Sequence, residues 1–179
     1  MQRWRVPLGF LCGAIFLFFA QPTWLTLVVG GIIALSGLSM RAWSAGHIRK
    51  NQTLAVTGPY SWTRNPLYLG SFILGIGFTI ASNQPALVLL FAALFLGIYL
   101  PVMRVEAATL GELFGTDYSS YAQAVPLFLP RLTPYRATTG DAPAIKFDGT
   151  LYLRYREYKA AFGTLMAWCI LAAKVAFLS

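Results

Sequence analysis

Tyr60, Arg64, Asn65, Tyr68 and Glu106 are the side chains of this chain whose types and spacing admit chemistry. Arg64 and Tyr68 lie four residues apart, Asn65 and Tyr68 three apart, so at the mouth of one helix all three can face one cavity. Glu106 follows the next apolar run, and a helical hairpin returns it to the level of Arg64. A carboxylate and a guanidinium at an apolar boundary imply either a mutual salt bridge or a polar ligand. Charge alone favours the salt bridge, whereas ionisable groups at membrane depth point to function. Metal chemistry finds no ligand set. Cys12 and Cys169 fall inside apolar runs and read as small buried hydrophobes, and a lone histidine, His47, makes no metal site by itself.

The elements that must position these groups are transmembrane helices. The 179 residues are 57% hydrophobic and 11% charged, a composition foreign to soluble domains. Mean hydropathy is +0.60. Two uncharged runs, each broken once by a proline, give helices at residues 6–20 and 23–44, then 66–81 and 85–104; a last apolar run gives a fifth at 160–178. The first run follows Arg3 and Arg5 but lacks a small-x-small cleavage site and is expected to remain as a helix. Gly30, Ala34 and Gly37 form a small-residue stripe that lets a neighbouring helix approach, and Ser71 and Gly75 continue such a face on the third helix. Pro101 should bend the fourth helix.

The stretch Thr57-Gly58-Pro59-Tyr60-Ser61-Trp62-Thr63-Arg64-Asn65-Pro66-Leu67-Tyr68-Leu69-Gly70 joins the second and third helices. Gly58-Pro59 is turn chemistry, and Asn65-Pro66 reads as an N-cap and the first helical residue. After the fourth helix, Leu110, Leu113 and Phe114 continue a helix out of the membrane that turns at Gly115. Residues 131–148 read as loop. Tyr152, Tyr155 and Tyr158 with Arg154, Arg156 and Lys159 form an interfacial collar before the last helix, within which Lys174 can snorkel to the headgroups. The connections at 21–24 and 82–85 carry no charge; thirteen of the fourteen basic residues and every acidic one lie on the opposite face. By the positive-inside rule that face and the N-terminus are cytoplasmic. Anionic lipid then accounts for the net charge of +8, and nucleic acid is not expected as a partner.

Two motifs carry a family resemblance. Thr57-Gly58-Pro59-Tyr60 with Arg64-Asn65-Pro66-Leu67-Tyr68-Leu69-Gly70 resembles the G-x-Y-x-x-x-R-H-P-x-Y-x-G segment of the membrane methyltransferases that include isoprenylcysteine carboxyl methyltransferase and the phospholipid N-methyltransferases. Glu106-Ala107-Ala108-Thr109-Leu110, then Phe114-Gly115, Tyr118, Tyr121, Val125-Pro126 and Pro130, matches that superfamily's second element. The resemblance implies an all-α membrane bundle of about five helices and S-adenosyl-L-methionine bound at the cytoplasmic face. Carried over position by position, it implies cofactor contacts at Gln52, Thr53, Leu54, Ala55, Tyr60, Arg64, Asn65, Pro66, Leu67, Tyr68 and Glu106. A buried Glu106 would suit the cofactor's ammonium or ribose hydroxyls. It further implies one membrane domain over 1–179, with a methyltransferase-like core at about 36–132 and a C-terminal loop and extra helix at 133–179.

Three positions depart from the pattern. Asn65 replaces a histidine and cannot titrate near neutrality, Ala107 replaces a second glutamate, and Val102 stands where the family has its substrate-binding arginine. Arg104 is the nearest cation and the candidate for orienting the acceptor. The expected activity is methyl transfer to a lipophilic acceptor, an isoprenylcysteine-like carboxylate or a phospholipid amine, in the inner membrane of a prokaryote. An NADPH-dependent reductase of sterol-reductase type and a non-catalytic scaffold are the alternatives. The sequence leaves the oligomeric state open.

Overall fold

The computed structural model describes residues 13–49, 53–136 and 147–178, and these residues are helical or irregular with no strand. Residues 13–19 are helical (α1) and lead through an extended corner to α2, Trp24–Ala45. A 3-10 turn, Gly58–Ser61, precedes α3, Pro66–Ser82. Then follow α4, Pro85–Ala124, a short α5, Gly149–Arg154, and α6, Tyr158–Leu178.

Local chemistry sets these bounds. Thr23 opens α2 with a reciprocal cap: its Oγ1 accepts from the Thr26 amide at 3.2 Å, and the Thr26 Oγ1 accepts from the Thr23 amide at 2.9 Å. Asn83 ends α3 in the left-handed region, φ 52°. α4 runs past residue 104 to Ala124, with Pro101 inside it and a true break only at Gly115, where φ is 53° and ψ −121°. A turn was expected at this glycine, and only glycine adopts such a conformation freely. α5 was not expected. Asp148 nucleates it by accepting from the Thr150 amide at 2.9 Å and the Thr150 hydroxyl at 2.6 Å.

α2 and α3 form the most extensive seam. A Cβ added at Gly37 would lie 2.5 Å from the Leu74 amide nitrogen, and one at Gly77 would lie 2.6 Å from the Ala34 nitrogen. The two backbones therefore touch through the small-residue stripe. Where α2 begins, Ala20, Leu27, Ala81, Leu171 and Val175 form a buried cluster that joins α1, α3 and α6 to it. Lys174 does not reach outward as expected. Its Nζ donates to the Leu17 carbonyl at 3.0 Å and the Phe18 carbonyl at 2.7 Å, because the end of α1 leaves those oxygens without helical donors.

The outer surface is apolar: Leu25, Ile32, Leu89, Leu96 and Phe162 are all exposed. Water does not tolerate such a surface over whole helices, and lipid does. Among the described residues Trp24–Ala45, Pro85–Ala124 and Tyr158–Phe177 are long and apolar enough to cross a membrane, while Pro66–Ser82 is a shorter apolar helix. The chain is an all-helical integral membrane protein.

Candidate active site

At the end of the bundle where α2 finishes and α3 starts, a cleft of about 300 Å³ opens between the 57–70 stretch and α4. Gly58 makes the turn possible. Its φ is +59°, and a Cβ there would stand 2.6 Å from the Cδ2 of the buried His47 ring. The 3-10 turn then buries Tyr60 and directs it into the cleft. Burial, and next the neighbouring Tyr121 phenol, push the Tyr60 hydroxyl well above its ordinary range, so it stays neutral.

Thr53, Leu54, Ala55, Tyr60, Arg64, Asn65, Pro66, Leu67, Tyr68 and Glu106 all line this cleft. Gln52 lies outside the described residues. Arg104 is exposed and is not among the lining residues, since two residues along α4 turn it away from Glu106. Residues to which the sequence reading gave no role also line the cleft: Arg49, Thr109, Tyr118 and Tyr121. The i, i+3 spacing of the two tyrosines after Gly115 was the available signal.

The expected salt bridge between Arg64 and Glu106 does not form. Among the described residues the one salt bridge is Arg41–Glu157, at 2.8 Å. The reversal at Gly115 brings Tyr118 back over the motif, and the Arg64 Nη1 donates to its hydroxyl at 3.0 Å. Glu106 accepts from the Tyr68 hydroxyl at 2.9 Å instead, and it is exposed rather than buried. The two opposite charges thus stay separately available in one cleft. Arg64 Nε is buried with no hydrogen-bond partner, a condition that costs about 1–3 kcal/mol.

Asn65 and Pro66 occupy the N-cap and first helical positions as expected, but the Asn65 side chain makes no cap hydrogen bond. Its Nδ2 donates to the Leu127 carbonyl at 2.9 Å. Long-range bonds also tie down its neighbours: the Thr63 hydroxyl donates to the Phe128 carbonyl at 2.8 Å, and the Arg64 amide to the Pro126 carbonyl at 3.0 Å. The motif is therefore held from both flanks.

The phospholipid methyltransferase family model matches residues 18–117, which include α2, α3 and α4 as far as residue 117. The chain belongs to the phospholipid methyltransferase family. It is 32% identical to the cobalt-zinc-cadmium resistance protein CzcN of Cupriavidus metallidurans over 74% of this chain and 64% of that one. It is 32% identical to the nickel-cobalt-cadmium resistance protein NccN of Alcaligenes xylosoxydans xylosoxydans over 75% of this chain and 66% of that one. Protein-S-isoprenylcysteine O-methyltransferase of Saccharomyces cerevisiae is 28% identical over 63% of this chain and 52% of its own length. The chain thus spans between about half and two thirds of these relatives. No solved structure matches it. The three charged cleft residues, Arg49, Arg64 and Glu106, fall inside the family match, whereas Tyr118, Tyr121 and everything after them lie beyond it.

Proposed function

We propose that this protein is a membrane methyltransferase that draws its methyl group from S-adenosyl-L-methionine and passes it to a lipophilic acceptor, an isoprenylcysteine-like carboxylate or a phospholipid amine. One observation carries the reading: Arg64, from the motif on the turn before α3, and Glu106, from the motif on α4, enter the same cleft without neutralising each other. This donor set fits the cofactor. Arg64 matches an amino-acid carboxylate, and Glu106 an ammonium or ribose hydroxyls through charge-assisted hydrogen bonds. Leu54, Leu67, Leu110 and Phe114 offer apolar walls to the base. Thr53, Ala55, Tyr60, Asn65, Pro66 and Tyr68 complete the contacts, with Gln52 added from the resemblance.

When bound, the cofactor supplies an electrophilic methyl group on a positively charged sulfur. The chain's own part is alignment and exclusion of water. Tyr68 holds the Glu106 carboxylate in place, and Tyr118 holds the guanidinium of Arg64. Arg104, exposed on α4 and turned away from Glu106, is left to orient an acidic acceptor arriving from the bilayer. Two relatives are named for metal resistance; among the described residues no three His, Cys, Asp or Glu side chains gather.

The same reading places five helices across the inner membrane of a prokaryote, with the N-terminus and the cleft on the cytoplasmic side. The uncharged connections at 21–24 and 82–85 support it. It treats the chain as one domain, with a core at about 36–132, since the Arg41–Glu157 ion pair ties the C-terminal part to α2. Calorimetric titration of the detergent-purified protein tests the assignment. S-adenosylhomocysteine should bind and NADPH should not. NADPH binding alone would make the protein a reductase, and binding of neither would make it a scaffold.

A further inference from the structure

Residues 125–135 lie beyond the family match, yet they bond to nearly every residue of the turn that carries Arg64. The Tyr121 hydroxyl, just before this segment, donates to the Tyr60 carbonyl at 2.7 Å. The Tyr135 amide donates to the Ser61 carbonyl at 2.8 Å, and the Arg131 amide to the Trp62 carbonyl at 2.9 Å. Thr63, Arg64 and Asn65 then each donate to a carbonyl of the segment, those of Phe128, Pro126 and Leu127, at 2.8, 3.0 and 2.9 Å. Thr63 is wholly buried. The segment is itself anchored: Val125 is buried, and the Phe128 ring packs against Phe72 and Phe95 with centroids 5.6 Å away in both cases.

We propose that residues 125–135 are a strap that fixes the direction of the Arg64 guanidinium, and that Thr63 and Asn65 are its positioning residues. A connecting loop ordinarily keeps backbone freedom, and a guanidinium carried on it samples many directions. Here the residues on either side of Arg64 spend side-chain donors on the strap, and Arg64 spends its own amide. None of the three strap bonds reaches a charged group, so their common effect is to hold a cation still before a ligand arrives. This assignment rests on reading the cleft as the cofactor site, with Arg64 facing the amino-acid carboxylate.

Two ligands separate positioning from simple stability. S-adenosylhomocysteine carries the carboxylate, and methylthioadenosine carries the same thioether nucleoside without it. Thr63→Val, which keeps shape and removes the bond to the Phe128 carbonyl together with the longer one accepted from the Asn65 amide, should weaken S-adenosylhomocysteine about tenfold. Methylthioadenosine binding should stay within about twofold of wild type, since no carboxylate meets Arg64. Equal weakening of both ligands, or of neither, overturns the strap. Hydrogen exchange on the ligand-free protein gives a reading that needs no cofactor: Thr63→Val should speed exchange of the Arg64 and Arg131 amides. Wild-type protein that binds neither nucleoside sinks the cofactor reading. Unchanged exchange in the variant sinks the strap on its own.

Discussion

The α2–α3 seam and the cleft at its end are built by opposite means. Along the seam, backbones meet through glycines and alanines, and side chains contribute by being absent. In the cleft, polar side chains find partners far away in sequence: Arg64 with Tyr118, Tyr68 with Glu106, Asn65 with Leu127. The seam can therefore be rigid without being chemically particular. Part of the cleft's particularity comes from the chain beyond residue 117, which returns to it with Tyr118 and the Leu127 carbonyl. A small-residue seam asks for local spacing, while a polar site asks for a tertiary fold.

The sharpest way to break this contrast is to put bulk into the seam. Gly37→Leu would force its Cβ against the Leu74 backbone, 2.5 Å away, and no flexible side chain stands there to yield. The expected result is loss of folded protein, or a stability deficit of at least about 3 kcal/mol in detergent, at the top of the range for overpacking. A well-folded variant would mean that the helices do not touch there. In the cleft, Glu106→Ala should leave thermal unfolding nearly unchanged, because the carboxylate is exposed. It should weaken S-adenosylhomocysteine by roughly tenfold to a hundredfold, as expected for a hydrogen bond to a charged group. Tyr68→Ala should weaken it less, and wild-type affinity in both would move the site elsewhere.

Two smaller effects sharpen the comparison through pH. Burial raises the Tyr60 phenol above its ordinary value of 10.0, so the unfolded chain ionises first in alkali. Its contribution to stability is complete below that value and declines as pH rises past it. Tyr60→Phe should flatten this alkaline limb of the unfolding curve, and an unaltered limb would show that Tyr60 is not buried. Asp148 behaves oppositely: the Thr150 hydroxyl and amide hold its carboxyl below the ordinary 3.8. Its support for α5 is present above that value and fades as pH falls through the depressed one. Asp148→Asn should produce a slight loss of thermal stability near neutrality that vanishes in strong acid.

The fold was legible in the sequence wherever local rules decide. Uncharged runs interrupted at Pro22 and Pro85 mark helices, the Gly30, Ala34, Gly37 stripe marks a seam, and Gly115 marks the break. The lining of the cleft was legible through the two motifs, which place Arg64 and Glu106 at the ends of one hairpin. Partner choice was not. Arg64 and Glu106 look complementary along the sequence, yet each finds a phenol, because the turn at Gly115 delivers Tyr118 and α3 presents Tyr68. Asn65 reads as a cap by position, but its side chain goes to a carbonyl 62 residues away. Lys174 reads as a snorkelling cation, and only the fold shows that the end of α1 lies within its reach. No periodicity encodes such distances.

The Lys174 contact also bears on biosynthesis. The carbonyls of Leu17 and Phe18 enter the bilayer early and find this donor 157 and 156 residues later. Until the ribosome has delivered α6, those oxygens must rely on water or a helper, so α1 completes its contacts only once α6 has been made. Shortening the chain before Lys174 would leave its opening segment waiting for an amine that never comes.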